Sequence, residues 1–320
     1  MNATTRRMGC QTIALFTTLV SVPLAAGFEG SGVEIIASVH AATAMDSASI
    51  MASTAAGSVH RFDHVVIAIM ENTGYSSIIG DTVSAPYINS LLASGVSFSD
   101  AHGVTHPSQP NYVALFSGQQ QGITDDSCPH NFTGVANLGS QLIAAGLSFT
   151  GYSETMPSDA YGGCSSSTYA RKHNPWVNFD NVPSTSNRTF AAFPTSFADL
   201  PTLSIVVPNL CNDMHDCSIS TGDSWLQNNL AAYVQWAKNH NSLFILTWDE
   251  DNFTVPNQIP MVFAGSNVIP GSYSETVSHY GVLRTLEDMY GLSALANAAT
   301  AVPITDVWDN DRIFAENFDQ

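Results

Sequence analysis

The run FDHVVIAIM at 62–70 is largely apolar and then stops at Glu71 and Asn72, a carboxylate and an amide. Two adjacent oxygen donors at the end of such a run suit a hard or borderline divalent cation. Further on, 105–112 reads THPSQPNY, with Ser108 at the mouth of a short apolar stretch that reads as a helix start. Bare N–H groups and the positive end of a helix dipole make that place receptive to phosphate, and a hydroxyl there can attack phosphorus. Thr105 is a second candidate hydroxyl, and His106 and Asn111 flank the serine. A lone serine at a helix start is more commonly only an N-cap, a role that needs the same location. The run DEDN at 249–252 offers Asp249 and Glu250 as a second pair of oxygen ligands, although alone it would read as a solvated or calcium-binding loop. His215, within NLCNDMHD at 209–216, and His279 are imidazoles suited to proton transfer. Together these groups suggest an enzyme acting on a phosphate ester.

These groups act together only if one edge of a sheet gathers them. The pattern predicts strands at 62–70, 148–152, 203–207, 243–248 and 260–264, and helices near 86–93, 108–116, 137–145 and 223–239 and from 278. Such βα alternation argues for a largely parallel sheet covered on both faces, and open α/β sheets place their sites at the carboxyl ends of the strands. Residues 153–200, rich in Ser, Pro, Asn and Thr, read as a long surface excursion over the site, in which Arg171, Lys172 and His173 would face a second substrate group.

Composition narrows the partners. Nine Lys and Arg against 27 Asp and Glu give a formal net charge of −18, and no basic run is long enough for nucleic acid. A phosphate site in such a chain must be made locally positive by a metal, a helix N-terminus or a few histidines. Arg6 and Arg7, the apolar stretch that follows and small residues near 24–27 read as a signal peptide over 1–26, too short to span a bilayer. Residues 27–58 read as a flexible segment and 59–320 as the catalytic domain, in a secreted or periplasmic protein with no stable membrane span. Cys128, Cys164, Cys211 and Cys217 remain after export, and in an oxidising compartment four cysteines imply two disulfides with three possible pairings. Nearest neighbours, Cys128 with Cys164 and Cys211 with Cys217, are the expected pairs. Metal binding by Cys211, His215 and Cys217 is the rival.

The segments VVIAIMENTGYSSIIG, THPSQPNYVALFSG, PNLCNDMHDC, LTWDEDN and SHYGVLRTLEDMYG, in that order, resemble the phosphoesterase family of the alkaline phosphatase superfamily. Its members include bacterial and fungal acid phosphatases and bacterial phospholipases C. The resemblance implies a three-layer α/β/α sandwich around a largely parallel sheet and a metal-assisted covalent mechanism. Carried over, Glu71 and Asn72 match the first ligand pair, Asp249 and Glu250 the second, and Ser108 the nucleophile. His106, Asn111, His215 and His279 fall where members place site residues. Asp249-Glu250 stands where the two-zinc phosphatases have an Asp-His pair, and no clear Asp-x-x-x-His is present. That departure weighs against a second metal and against zinc, so one divalent ion of open identity is expected. The expected activity is an acid phosphatase acting on a small phosphorylated substrate. A phospholipase C-like phosphodiesterase and a non-catalytic exported binding protein on the same fold are the rivals.

Overall fold

The computed structural model describes residues 59–309; the expected signal peptide and the segment 27–58 lie outside the described residues. In chain order the elements are β1 (His64–Met70), α1 (Tyr75–Ile78), α2 (Pro86–Ser94), β2 (Val96–His102), α3 (Ser108–Ser117), α4 (Leu138–Ala144), β3 (Phe149–Ser153), β4 (Ser165–Ser166), β5 (Tyr169–Ala170) and β6 (Asn187–Thr189). They continue with β7 (Leu203–Val207), α5 (Ile219–Ala237), β8 (Ser242–Trp248), β9 (Met261–Gly265), β10 (Gly271–Ser278) and α6 (His279–Tyr290). Eight strands form one sheet in the order β10-β2-β9-β8-β1-β7-β3-β6.

Only β9 runs antiparallel to its neighbours; β8, β1, β7, β3 and β6 are mutually parallel, as are β10 and β2. Every residue of β8 is buried, and all of β1 after His64. Strands without an exposed face need layers on both sides, so the α/β sandwich holds. The central trio β8, β1 and β7 delivers Asp249-Glu250, Glu71-Asn72 and the 209–216 loop to the same edge. A parallel register, with Ile67 opposite both Ile205 and Ile245, brings the three ends level.

Strands β2, β6 and β10 carry no clean apolar run and are not foreseen by the sequence pattern. β10 has a mostly exposed or half-buried pattern, as an edge strand can. The 153–200 region also differs from expectation. It is not only a surface excursion, because it adds β6 to the sheet edge and buries Tyr169, Trp176 and Phe179. Helix α5 starts at Ile219, earlier than the predicted 223, because Ser218 caps it by accepting the Thr221 N–H.

Two disulfides join Cys128 to Cys164 and Cys211 to Cys217, as expected from spacing. Sulfur ligation of a metal by Cys211 and Cys217 is thereby ruled out, since both thiols are consumed.

Candidate active site

Glu71, completely buried where β1 ends, is the hub. Its backbone N–H donates to Asp213 O at 2.8 Å, which clamps the 209–216 loop onto the strand end. One carboxylate oxygen, Oε1, accepts the Tyr112 hydroxyl at 2.6 Å, and Oε2 accepts Ser108 Oγ at 2.9 Å. Ser108 and Tyr112 lie four residues apart on α3 and so share one helix face. Ser108 Oγ also lies 3.3 Å from Glu250 Oε1, so a single hydroxyl is held between carboxylates from two adjacent strands. Asn72 donates its amide to Glu71 Oε2 at 3.0 Å and its backbone N–H to Asp249 Oδ1 at 3.2 Å.

Charge crowding is the main electrostatic fact of the site. Burial, then the charges of Asp249 and Asp213, push the Glu71 carboxyl well above the usual carboxylate range. Burial pushes Asp249 and Asp213 each up to about 7. Burial, reinforced by the Asp249 charge, pushes Glu250 up to about 9. A divalent cation would relieve this repulsion, and the donor set fits one: all the ligands are oxygen, and Asn72 Oδ1 and Asp249 Oδ2 are buried with no hydrogen-bond partner. Among the described residues no three His, Cys, Asp or Glu side chains stand closed into a coordination shell. The Ser108 hydroxyl and the Asn72 amide stand between the carboxylates instead.

The remaining expected residues divide by position. His106 places Nδ1 2.5 Å from Glu250 Oε2 and Nε2 3.4 Å from Asp251 Oδ1, and stacks on Phe253. Asn111 accepts the Val104 and Thr105 N–H groups and donates to the Thr105 and Pro107 carbonyls, all within 3.1 Å. It therefore fixes the loop that presents Ser108. Thr105 Oγ1 donates to His106 O at 3.2 Å, whereas the Ser108 hydroxyl points to the carboxylates. His215, at the rim, pairs through Nδ1 with Asp216 at 2.7 Å, and its N–H is held by Asp213 Oδ1 at 2.8 Å. His279 is buried and bonds through Nε2 to Trp248 O at 2.9 Å, behind the β8 end. Burial holds its imidazole down to about 4, so it is neutral and supports the strand. Gly103 belongs to the same frame: a Cβ there would lie 2.8 Å from Asp249 O.

Tyr112 and Asp126 are site residues that the sequence pattern did not single out, and His173 and Lys172, expected to face a second substrate group, stand beside Glu71 and the start of α3. His173 is buried, with Nε2 3.1 Å from Glu71 Oε1 but out of line for a hydrogen bond, and its ring stacks on Tyr112 at 5.0 Å. Burial, then the charges of Lys172 and His215, hold it well below the ordinary imidazole range. Lys172 Nζ pairs with Asp126 Oδ2 at 2.8 Å, and Asp126 Oδ1 accepts the Gln109 N–H at 2.9 Å. Arg171, expected to face a second substrate group, is instead buried and donates to Gly162 O, His130 O and Asn178 Oδ1. The four-residue spacing of Tyr112 from Ser108 was a usable signal; nothing local in the sequence marks Asp126.

A family model described as the phosphoesterase family matches residues 81–293. This chain belongs to the phosphoesterase family. A Mycobacterium tuberculosis protein named phosphatidylinositol-3-phosphatase is 52% identical over 256 residues, covering 79% of this chain and 85% of its own. An Aspergillus fumigatus acid phosphatase is 29% identical over 264 residues, covering 75% of this chain; the match spans 58% of that longer protein. A solved Vibrio parahaemolyticus structure from the alkaline phosphatase superfamily superposes with a TM-score of 0.53 at 14% identity, covering 77% of this chain and 71% of that one. That likeness is one of fold. The phosphoesterase is a hydrolase of phosphate esters, and its relatives carry the names of monoesterases.

Proposed function

We propose that this phosphoesterase is an exported, metal-dependent acid phosphatase that hydrolyses monoesters through a phosphoseryl intermediate on Ser108. The observation carrying the reading is the buried Ser108 hydroxyl at the start of α3, donating toward Glu71 and Glu250 at 2.9 and 3.3 Å. A divalent ion held by Glu71, Asn72, Asp249 and Glu250 would supply charge neutralisation at the phosphate and acidify the hydroxyl. Glu71 and Glu250 orient Oγ, and one of the two takes up its proton as it attacks phosphorus in line, forming the Oγ–P bond while the ester P–O bond breaks. His215, held by Asp216 at the solvent-facing rim, protonates the departing alkoxide, a step that favours acidic conditions. Water then attacks the phosphoserine, giving one proton to His215 as its oxygen bonds to phosphorus and the Oγ–P bond breaks, while the carboxylate returns its proton to Oγ and hydrogen phosphate leaves. His106 braces Glu250, and Asn111 braces the Ser108 loop.

The mycobacterial relative's name supports a monoester substrate, with the phosphate of an inositol lipid among the candidates. Two disulfides support export, since such bonds persist in oxidising compartments. No helix of the described residues is long and apolar enough to cross a membrane. Ser108→Ala is expected to lower kcat on p-nitrophenyl phosphate by at least about 10³-fold with an unchanged melting temperature, while Thr105→Ala retains turnover. An active Ser108→Ala with a dead Thr105→Ala would move the nucleophile, and preference for phosphatidylcholine over monoesters would replace the reading with a phospholipase C.

A further inference from the structure

The carboxylates that crowd Ser108 would repel a phosphate group, so the source of positive charge matters. Outside Lys172, the described residues hold five Lys and Arg side chains, and their contacts lie elsewhere. Arg61 lies over the Tyr290 ring, Arg188 pairs with Asp159, Arg284 with Asp288, Lys238 bonds Ser94, and Arg171 binds backbone carbonyls. Lys172 alone stands at the site. Its ammonium is 2.8 Å from Asp126 Oδ2, and the other oxygen of that carboxylate accepts the N–H of Gln109, the residue after Ser108. One carboxylate thus ties the ammonium to the helix start beside the hydroxyl. An ammonium has three donors, and Asp126 takes one.

We propose that Lys172, positioned by Asp126, recognises the third non-bridging oxygen of a phosphate monoester and so sets the preference for monoesters over diesters. In a diester that oxygen carries an alkyl group, which an ammonium cannot bind, and the second negative charge is gone. Burial pulls the Lys172 pKa down, but the Asp126 hydrogen bond and the charges of Glu71, Asp126 and Asp249 outweigh it and raise the pKa above the ordinary lysine range, so the ammonium stays charged. The Cys128–Cys164 disulfide joins the two loops that carry Asp126 and Lys172, so the pairing geometry is covalently braced.

The inference rests on the phosphomonoesterase reading, and the two fail differently. The test compares Lys172→Gln, Lys172→Arg and the unaltered protein on p-nitrophenyl phosphate and bis(p-nitrophenyl) phosphate, with inorganic phosphate as competitive inhibitor. Lys172→Gln is expected to lower monoester kcat/KM by about tenfold to a hundredfold and to raise the phosphate inhibition constant at least about fivefold. Diester kcat/KM should change by less than about threefold. Lys172→Arg should keep most of the selectivity because the charge remains. An equal fall on both substrates with unaltered phosphate inhibition would mean a structural role and overturn the proposal, while leaving Ser108 and the phosphatase reading standing. Should Lys172→Gln not fold, Asp126→Asn decides: losing the carboxylate that positions the ammonium should weaken phosphate inhibition several-fold and lower monoester turnover more than diester turnover, and unchanged inhibition overturns the proposal.

Discussion

His279→Phe is expected to yield a protein weaker than the parent near neutrality and no weaker in acid. The side chain is fully buried and donates Nε2–H to Trp248 O at 2.9 Å, one residue before Asp249. Removing that donor leaves a buried carbonyl without it, at a cost of about 1–3 kcal/mol. The native imidazole carries an opposite liability. Burial lowers its pKa from 6.5 to about 4, so in the unfolded chain it takes a proton at a higher pH than in the fold. Between those values the unfolded state holds more protons; the stabilisation is complete above about pH 6.5 and is lost as pH falls toward 4, amounting to roughly 3 kcal/mol. Phenylalanine lacks this term. The deficit of the variant should therefore shrink through that window and close or reverse near pH 4.

Urea unfolding followed by tryptophan fluorescence, at about pH 7.5, 5.5 and 4.5 on both proteins, reads the effect as a difference. That design cancels the other buried groups. His173, held low in the same sense, also weakens the fold in acid, whereas Glu71, Asp213, Asp249 and Glu250, held high, weaken it as pH rises. A stability difference constant across pH would refute the neutral, strand-supporting role. So would a variant of parental stability that has lost turnover at every pH, which would return His279 to the chemistry.

Glu71→Gln and Asp249→Asn should each lose bound divalent metal and activity together, by at least about 10²-fold in kcat/KM; full metal content by elemental analysis in an inactive variant would contradict the ligand assignment. Replacing Cys211 and Cys217 by serine should cost roughly 2 kcal/mol, given the short loop they close. It should reduce kcat further because Asp213 and His215 lie within that loop, and parental kcat at saturating substrate would show that the loop holds its shape without the bond.

What the sequence made legible was the sheet's centre. β1, β7 and β8 are buried on both faces, so their apolar runs are unbroken and end sharply at Glu71, near Asn209 and at Asp249; a parallel order then forces these ends together. The rest was hidden for physical reasons. β2 alternates buried with half-buried residues, β10 is mostly exposed or half-buried, and β6 is three residues long, so none has a continuous apolar run to detect. His173 and Lys172 read as substrate-facing, but their packing on Tyr112 and Asp126 was hidden, because they lie in a stretch of short 3₁₀ turns held by side-chain bonds such as Arg171 to Asn178, and such turns leave no periodicity. Asp126 meets Lys172 across 46 residues, a pairing that no local pattern announces. His279 shows what position alone leaves open: a place at a helix start reads as catalytic, while its buried ring bonds the Trp248 carbonyl.

The division of labour between sheet and excursion follows from charge. The strand ends bring Glu71, Asp249 and Glu250 around Ser108, an arrangement that can hold a cation and orient a hydroxyl but, without added positive charge, rejects an anionic substrate. Neither the sheet nor the helices behind it place a lysine or arginine there among the described residues. The single fixed cation arrives on the excursion, tied through Asp126 to the start of α3 and joined covalently by the Cys128–Cys164 bond. On the proposed mechanism, then, the sheet edge sets what reaction can occur, while residues 153–200 decide which phosphate ester is close enough, and of the right charge, to undergo it. Substitutions at Glu71 should therefore abolish every ester hydrolysis alike, whereas substitutions at Lys172 should reorder the substrates.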